Sequence, residues 1–140
     1  MSTIFTRIIE HEIPGTFVYR DDVCVAFLSI NPLSYGHTLV VPIEEIDEWT
    51  DLDIDTAARV FEVAHKIGQA QKIAFACERV GLIIAGYEVD HCHVHVFPTV
   101  HIRDFNFANA ASSVSREDLN AAAIALRAAM ASVGLKSSEI

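Results

Sequence analysis

"DHCHVHVFP", residues 90 to 98, places histidines at 91, 93 and 95 with Cys92, Val94 and Val96 in alternation. The reading of this stretch decides the fold, because residues i, i+2 and i+4 share a face in a strand and scatter around the axis of a helix. The valines and Phe97 favour a strand. On that reading the three imidazoles form a ridge spaced about 6 to 7 Å along one face, while Cys92, Val94 and Val96 point into a core on the other.

Working outward, "GLIIA" (81–85) is a second apolar run that leads through Gly86 into the histidines. Upstream, "TFVYR" (16–20) and "VCVAFLS" (23–29) flank Asp21-Asp22 and read as a hairpin. "HTLVVP" (37–42) follows "NPLSYG", whose Asn-Pro and Gly signal turns. These make about five strands. Between the third and fourth, Ala57, Val60, Phe61, Ala64, Ile67, Gly68, Ile73 and Cys77 recur at a helical period, with Thr50 or Asp53 as cap and Trp49 and Leu52 covering the start. Near the C-terminus Leu119, Ala122, Ala123, Leu126 and Met130 line one face of a second helix, opened by Ser115 with Asp118 and stopped at Gly134. A short first helix is expected over residues 2–10. Hairpin, central helix, hairpin, helix describes one α+β domain over residues 1–140, an antiparallel sheet with helices over it.

Composition narrows the partners. The 140 residues are 51% hydrophobic, enough for one core, and carry a formal charge of −9. An acidic chain of this kind is a poor match for a polynucleotide or an anionic membrane, whereas a local pocket can still take a small anion. Three cysteines without a Cys-x-x-Cys pair indicate neither a disulfide framework nor a cysteine metal knuckle, which points to a reducing, cytoplasmic setting. Charges at Arg7, Glu10 and Glu12 interrupt any signal-peptide apolar run.

Three histidines in register carry a cost that a purely structural strand gains nothing by tripling. Each half-buried imidazole needs partners for two ring nitrogens, and one left unmet costs roughly 1 to 3 kcal/mol. Two chemistries remain open on spacing alone. Alternate histidines can supply two ligands to a metal, completed by His37, His101, Glu88 or Asp90. Alternatively one imidazole attacks phosphorus while its neighbours fix its tautomer, bind phosphoryl oxygens and pass a proton to the leaving group. Asp51, Asp53 and Asp55 lack the glycine of a calcium loop and read as a solvated helix start. Arg103 and His101 read as surface residues.

The string His91-Cys92-His93-Val94-His95-Val96-Phe97 resembles the signature of the histidine triad (HIT) family, His-x-His-x-His followed by apolar residues. "IFTRIIEHEIPGTFVYRDDVCVAFLSINP" and "GHTLVVP" resemble the family's N-terminal region and the strand with its fourth histidine, so residues 4–100 are covered in order. The resemblance implies a homodimer of subunits with a sheet of about five antiparallel strands. It also implies a nucleotide hydrolase or transferase that cleaves phosphoramidates or dinucleoside polyphosphates at the α-phosphate, with no cofactor and no catalytic metal. By position, His93 is the expected nucleophile of a nucleotidyl-histidine intermediate, His95 binds phosphate oxygens, and His91 pairs with His37. Phe27, Ile30 and Leu33 are expected around the base and Ser29 at the ribose. Glu88 stands beside the phosphate, and Tyr87 replaces a glutamine common in relatives. Some members hold a structural zinc; three of its places here read Thr3, Thr6 and Glu45, so none is expected. The rival readings are a nucleotide-binding protein without catalysis and a histidine metalloprotein.

Overall fold

The computed structural model describes residues 2–138. Helix α1 (Ile4–Ile9) is followed by β1 (Phe17–Arg20), β2 (Cys24–Leu28), β3 (Thr38–Pro42), the long α2 (Ile54–Ala74), β4 (Arg79–Ile83), β5 (Val94–Thr99) and α3 (Arg116–Ser132). The strands form one sheet in the order β1-β2-β3-β5-β4, every neighbouring pair antiparallel. The α+β architecture is therefore present, its strand β4 starting two residues earlier than the apolar run "GLIIA" suggests. Among the described residues no helix is long and apolar enough to cross a membrane.

Side-chain alternation sorts the sheet into two faces. Cys24, Ala26 and Leu28 of β2, Val40 of β3, and Val94 and Val96 of β5 join residues of α2 and α3 in the larger core. Val25, Phe27, Leu39 and Val41 face the other way and meet Phe5, Ile8 and Ile9 of α1. Because Leu39 pairs with His95 in the β3–β5 ladder, the His95 ring shares the α1 face. The sheet thus hides its apolar β-branched face under two helices and leaves the second face to a single short one.

The helices begin where side chains can satisfy orphan amides. Asp53, not Thr50, caps α2 by accepting from the Asp55 amide, and the Ser115 hydroxyl accepts from the Asp118 amide at the start of α3. In α3 the five expected apolar residues are buried, and Gly134 beyond its end takes φ +73°. The expected face of α2 is only partly right: Val60, Ala64, Ile67 and Gly68 are buried, whereas Phe61 and Ile73 are 61% and 60% exposed and Cys77 lies past the helix end. Their period matches the turn but places them on its outer side. Trp49 does not cover the start of α2 either; it sits in a 3-10 turn and is 55% exposed.

One buried polar residue links α2 to the sheet. The Gln71 amide donates from Nε2 to the carbonyls of Gly36 (3.1 Å) and Val96 (2.9 Å), at the end of the short three-pair β3–β5 ladder. Gly36 has φ +89°, and a Cβ there would overlap the Phe75 ring, so the turn into β3 requires glycine.

Candidate active site

His37 follows Gly36 directly and is the first of four imidazoles ranged along β3, from His37 just before its start to His91 at the carbonyl of its last residue, Pro42. The Leu33 main-chain N–H donates to its Nδ1 (2.9 Å), so Nδ1 is an acceptor and the proton of the neutral ring lies on Nε2. That nitrogen donates to Nδ1 of His95 (3.0 Å), and the same logic puts the His95 proton on Nε2, facing the cavity described below. Both rings stay neutral: burial, then the neighbouring His95 and His93, pushes His37 down to about 3, and burial followed by His93 pushes His95 down to about 4. A backbone amide thus sets the tautomer of a ring two residues removed in the chain of contacts.

The strand reading of the triad needs one correction. The β5 ladder begins at Val94, and the Cys92 amide leaves the sheet to donate to the Ile46 carbonyl (2.7 Å), so His91 and His93 lie just before the strand. The alternation survives: the rings of His91 and His93 both pack edge-on against Phe5, at 5.9 and 4.8 Å between centroids, and His93 lies 4.9 Å from His95. Cys92 is buried but stands apart from both apolar clusters.

His91 does not pair with His37, contrary to expectation. Its Nε2 donates to the Pro42 carbonyl and its Nδ1 accepts from the Thr3 hydroxyl, both at 2.8 Å. Glu45 completes this clasp by accepting from the Thr3 amide (2.8 Å) and the Thr6 hydroxyl (2.7 Å), and those hydrogen bonds hold its carboxyl below the usual range. The three positions that lack zinc ligands are therefore joined by hydrogen bonds that fasten α1 to the histidine segment. With both nitrogens engaged, His91 anchors the main chain instead of serving the cavity.

That anchor positions the neighbouring ring. His93 Nδ1 donates to the His91 carbonyl (2.7 Å), which leaves the lone pair on Nε2. Nε2 meets a carboxylate oxygen of Glu88, and the same oxygen lies 3.4 Å from His95 Nε2. Burial, the largest influence, raises the Glu88 carboxyl, but the contacts with His93 and His95 and the residue's own main-chain amide together outweigh it, and the net shift is downward.

His37, His93 and His95 open onto a cavity of about 480 Å³ whose walls include Phe5, Ile8, Phe27, Leu39, Val89 and Phe107. Ser29 and Ile30, named above as nucleoside contacts, also line it, and Ile30 is 67% exposed. Leu33 does not; its amide on His37 is its contribution. Tyr87 is 97% exposed and borders a separate cavity of about 330 Å³ that shares His93. Arg103 and His101 are exposed at a 3-10 turn, which His101 caps by accepting at Nδ1 from the Arg103 amide. Sequence reasoning missed Phe5, Ile8, Phe107 and Arg116 on the cavity wall, and gave Thr3 no part beyond a zinc place it does not fill. Phe5 and Ile8 carried a signal in the amphipathic start of α1; Phe107, which packs edge-on against His95, carried none.

Donor atoms of Glu88, His93 and His95 all lie within 4.8 Å of one another, a spacing open to a cation. The proton relay argues against that use. A ligand must present a lone pair, and the Leu33–His37–His95 chain keeps a proton on His95 Nε2. Only two donors remain without breaking the relay, so these residues do not fit a resident metal.

The HIT domain family model matches residues 10–102. The chain belongs to the HIT domain family. A HIT-like protein of Borreliella burgdorferi is 40% identical over 111 residues, 74% of this chain and 80% of that one. The purine nucleoside phosphoramidase of Escherichia coli K12 is 35% identical over 100 residues, 67% and 84% of the two chains. The crystal structure of a Hit-like protein from Bartonella henselae superposes with TM-score 0.82 at 32% identity, covering 91% of this chain and 96% of that one. The HIT match spans all five strands and His37, His91, His93 and His95; α3 lies outside it.

Proposed function

We propose that this HIT protein cleaves nucleotidyl conjugates, phosphoramidates or dinucleoside polyphosphates, at the α-phosphate through a nucleotide covalently held on His93. The observation that carries the reading is the orientation of His93: with Nδ1–H held by the His91 carbonyl, Nε2 is the nitrogen left to face the cavity and attack. Attack on phosphorus forms the N–P bond and expels the leaving group. The positive charge that develops on the ring is then stabilised by the carbonyl that already holds its Nδ1–H. His95 Nε2–H donates to a phosphoryl oxygen, and the apolar walls around Phe5, Phe27 and Phe107 receive the base. Ser29 and Ile30 meet the nucleoside. Water then displaces the nucleotide from His93.

The acidic composition, the family membership and the neutral rings of His37 and His95 support a small phosphorylated ligand over a nucleic acid. Family resemblance also supports a homodimer. Strand β4 is a sheet edge, with Leu82 41% exposed on it and Ile84 37% exposed just beyond, and the partner proposed for that edge is a second copy of this chain. The unpaired cysteines support a reducing, cytoplasmic setting.

His93→Ala is expected to abolish turnover of an adenosine phosphoramidate and to keep nucleotide binding within a few-fold. In the wild type, mass spectrometry of a quenched reaction should find one nucleotide attached to His93. Turnover by the variant would reject the reading. A second reading, nucleotide binding without turnover, is favoured by one contact: the Glu88 carboxylate stands against the nitrogen that must attack. Nucleotide affinity in calorimetry with no cleavage of any conjugate would select it.

A further inference from the structure

Glu88 occupies an unusual place for a carboxylate in a site meant for phosphate. It lies in the segment between β4 and β5, its side chain is 49% exposed, and one of its oxygens touches the outward nitrogens of both His93 and His95. His93 Nδ1 is committed to the His91 carbonyl, so a neutral His93 would oppose a lone pair to an ionised carboxylate, two acceptors facing each other. The contact is favourable only if one proton lies between Nε2 and Glu88. The resting site therefore stores a single mobile proton at the attacking atom.

That proton has a use. A departing amine must gain a proton, and the other rings cannot supply it. The relay leaves His95 with only the proton of a neutral imidazole, whose loss would create an imidazolate, and His95 is pushed down to about 4 so that it holds no second one near neutral pH. His37 passes its Nε2–H to His95, and both nitrogens of His91 are engaged by Thr3 and Pro42.

We infer that Glu88 is the general acid and base of the reaction, carrying the proton from His93 to the leaving group and taking one from water in the second displacement. This rests on His93 being the nucleophile. In the first step the proton passes wholly to Glu88 and the carboxyl swings aside as phosphorus approaches Nε2 to about 3 to 3.5 Å. The N–P bond forms, the bond from phosphorus to the leaving atom breaks with its electron pair on that atom, and the Glu88 proton follows the pair. In the second step the Glu88 carboxylate removes a proton from water as its oxygen attacks phosphorus. The N–P bond breaks, its pair returns to Nε2, and the nucleoside monophosphate departs. One water is consumed and Glu88 regains its proton. The half-exposed side chain has the freedom this movement requires, which a carboxylate fixed in the core would lack.

The test is Glu88→Gln, which keeps size and hydrogen bonding but cannot carry a proton, with two conjugates of one nucleotide. One is an alkylamine phosphoramidate, whose leaving group needs a proton; the other is a p-nitrophenyl ester, whose leaving group does not. Release is measured with enzyme in excess, so that only the first displacement counts. Amine release should fall about 100-fold or more while nitrophenolate release changes less than about 5-fold, a range typical of general acid catalysis. The nitrophenyl reaction should then accumulate nucleotidyl-enzyme, because water has lost its base, and Glu88→Asp should recover part of the amine rate. Equal losses on both conjugates would reduce Glu88 to a positioning residue, and a faster amine release would reduce it to a plug; either overturns the inference. If His93→Ala still released nitrophenolate, the nucleophile assignment would fail independently of Glu88.

Discussion

His37 donates from Nε2 to Nδ1 of His95 across 3.0 Å, and the donor is itself oriented by the amide of Leu33. Replacing His37 with Asn keeps an oxygen for the Leu33 amide and removes the Nε2–H. The His95 tautomer is then free, and its donor toward the cavity is lost part of the time. Turnover should fall about 100-fold, the lower end of what a positioned proton donor contributes, while KM stays within a few-fold. Steady-state kinetics on the phosphoramidate check both numbers.

The same pair makes folding sensitive to acid. His37 and His95 titrate near 3 and 4 in the folded protein and near 6.5 when unfolded. Their folded values are depressed, so below about pH 6.5 the unfolded chain binds protons that the folded rings refuse. Stability is full above that pH and drops as pH falls toward 4, by on the order of 3 kcal/mol for each ring. Urea midpoints measured from pH 7 to pH 4 should decline accordingly. His37→Asn should decline less steeply, by close to one proton in the linkage slope; an unchanged slope would contradict the assignment.

The clasp of Thr3, Thr6, Glu45 and His91 predicts a gain of function. The accepting lone pair of His91 is on Nδ1, turned toward both threonine hydroxyls at 2.8 and 3.5 Å. Thr3→Cys, Thr6→Cys and Glu45→His together should create a Cys2His2 set that binds one zinc ion and raises the melting temperature. The unaltered protein should take up none at this place. Elemental analysis after dialysis, with the melting curve, decides it.

Gly36→Ala tests the turn that delivers His37. Positive φ costs an alanine about 1 to 2 kcal/mol, and its Cβ must also displace the Phe75 ring, so a loss of about 2 to 4 kcal/mol is expected. Because the strain falls next to His37, activity should suffer at temperatures where the variant is still folded. Denaturant titration and kinetics at 15 °C separate the two effects.

What could be read from residues alone was whatever depends on alternation and capping. The period of 2 through Val94 and Val96 found the buried face of β5, and the Ser115–Asp118 spacing found the start of α3, because both are local rules. Pairing among the histidines was misread. Which ring His37 meets depends on how β3 and β5 register, Leu39 opposite His95, and on Cys92 leaving the ladder to reach Ile46, neither of which is local. Phe61 and Ile73 failed for a related reason: apolar character at a helical period does not say which side of the helix the sheet occupies. The contact of Glu88 with His93 was equally out of reach, although the oddity of a carboxylate beside a phosphate site was visible in "GYEVDH".

Gln71 grips the carbonyls of Gly36 and Val96, the residues that precede His37 and follow His95. One side chain of α2 therefore tethers both halves of the imidazole relay to a common mast. Thermal sway of that 21-residue helix carries the two rings along together instead of prising them apart.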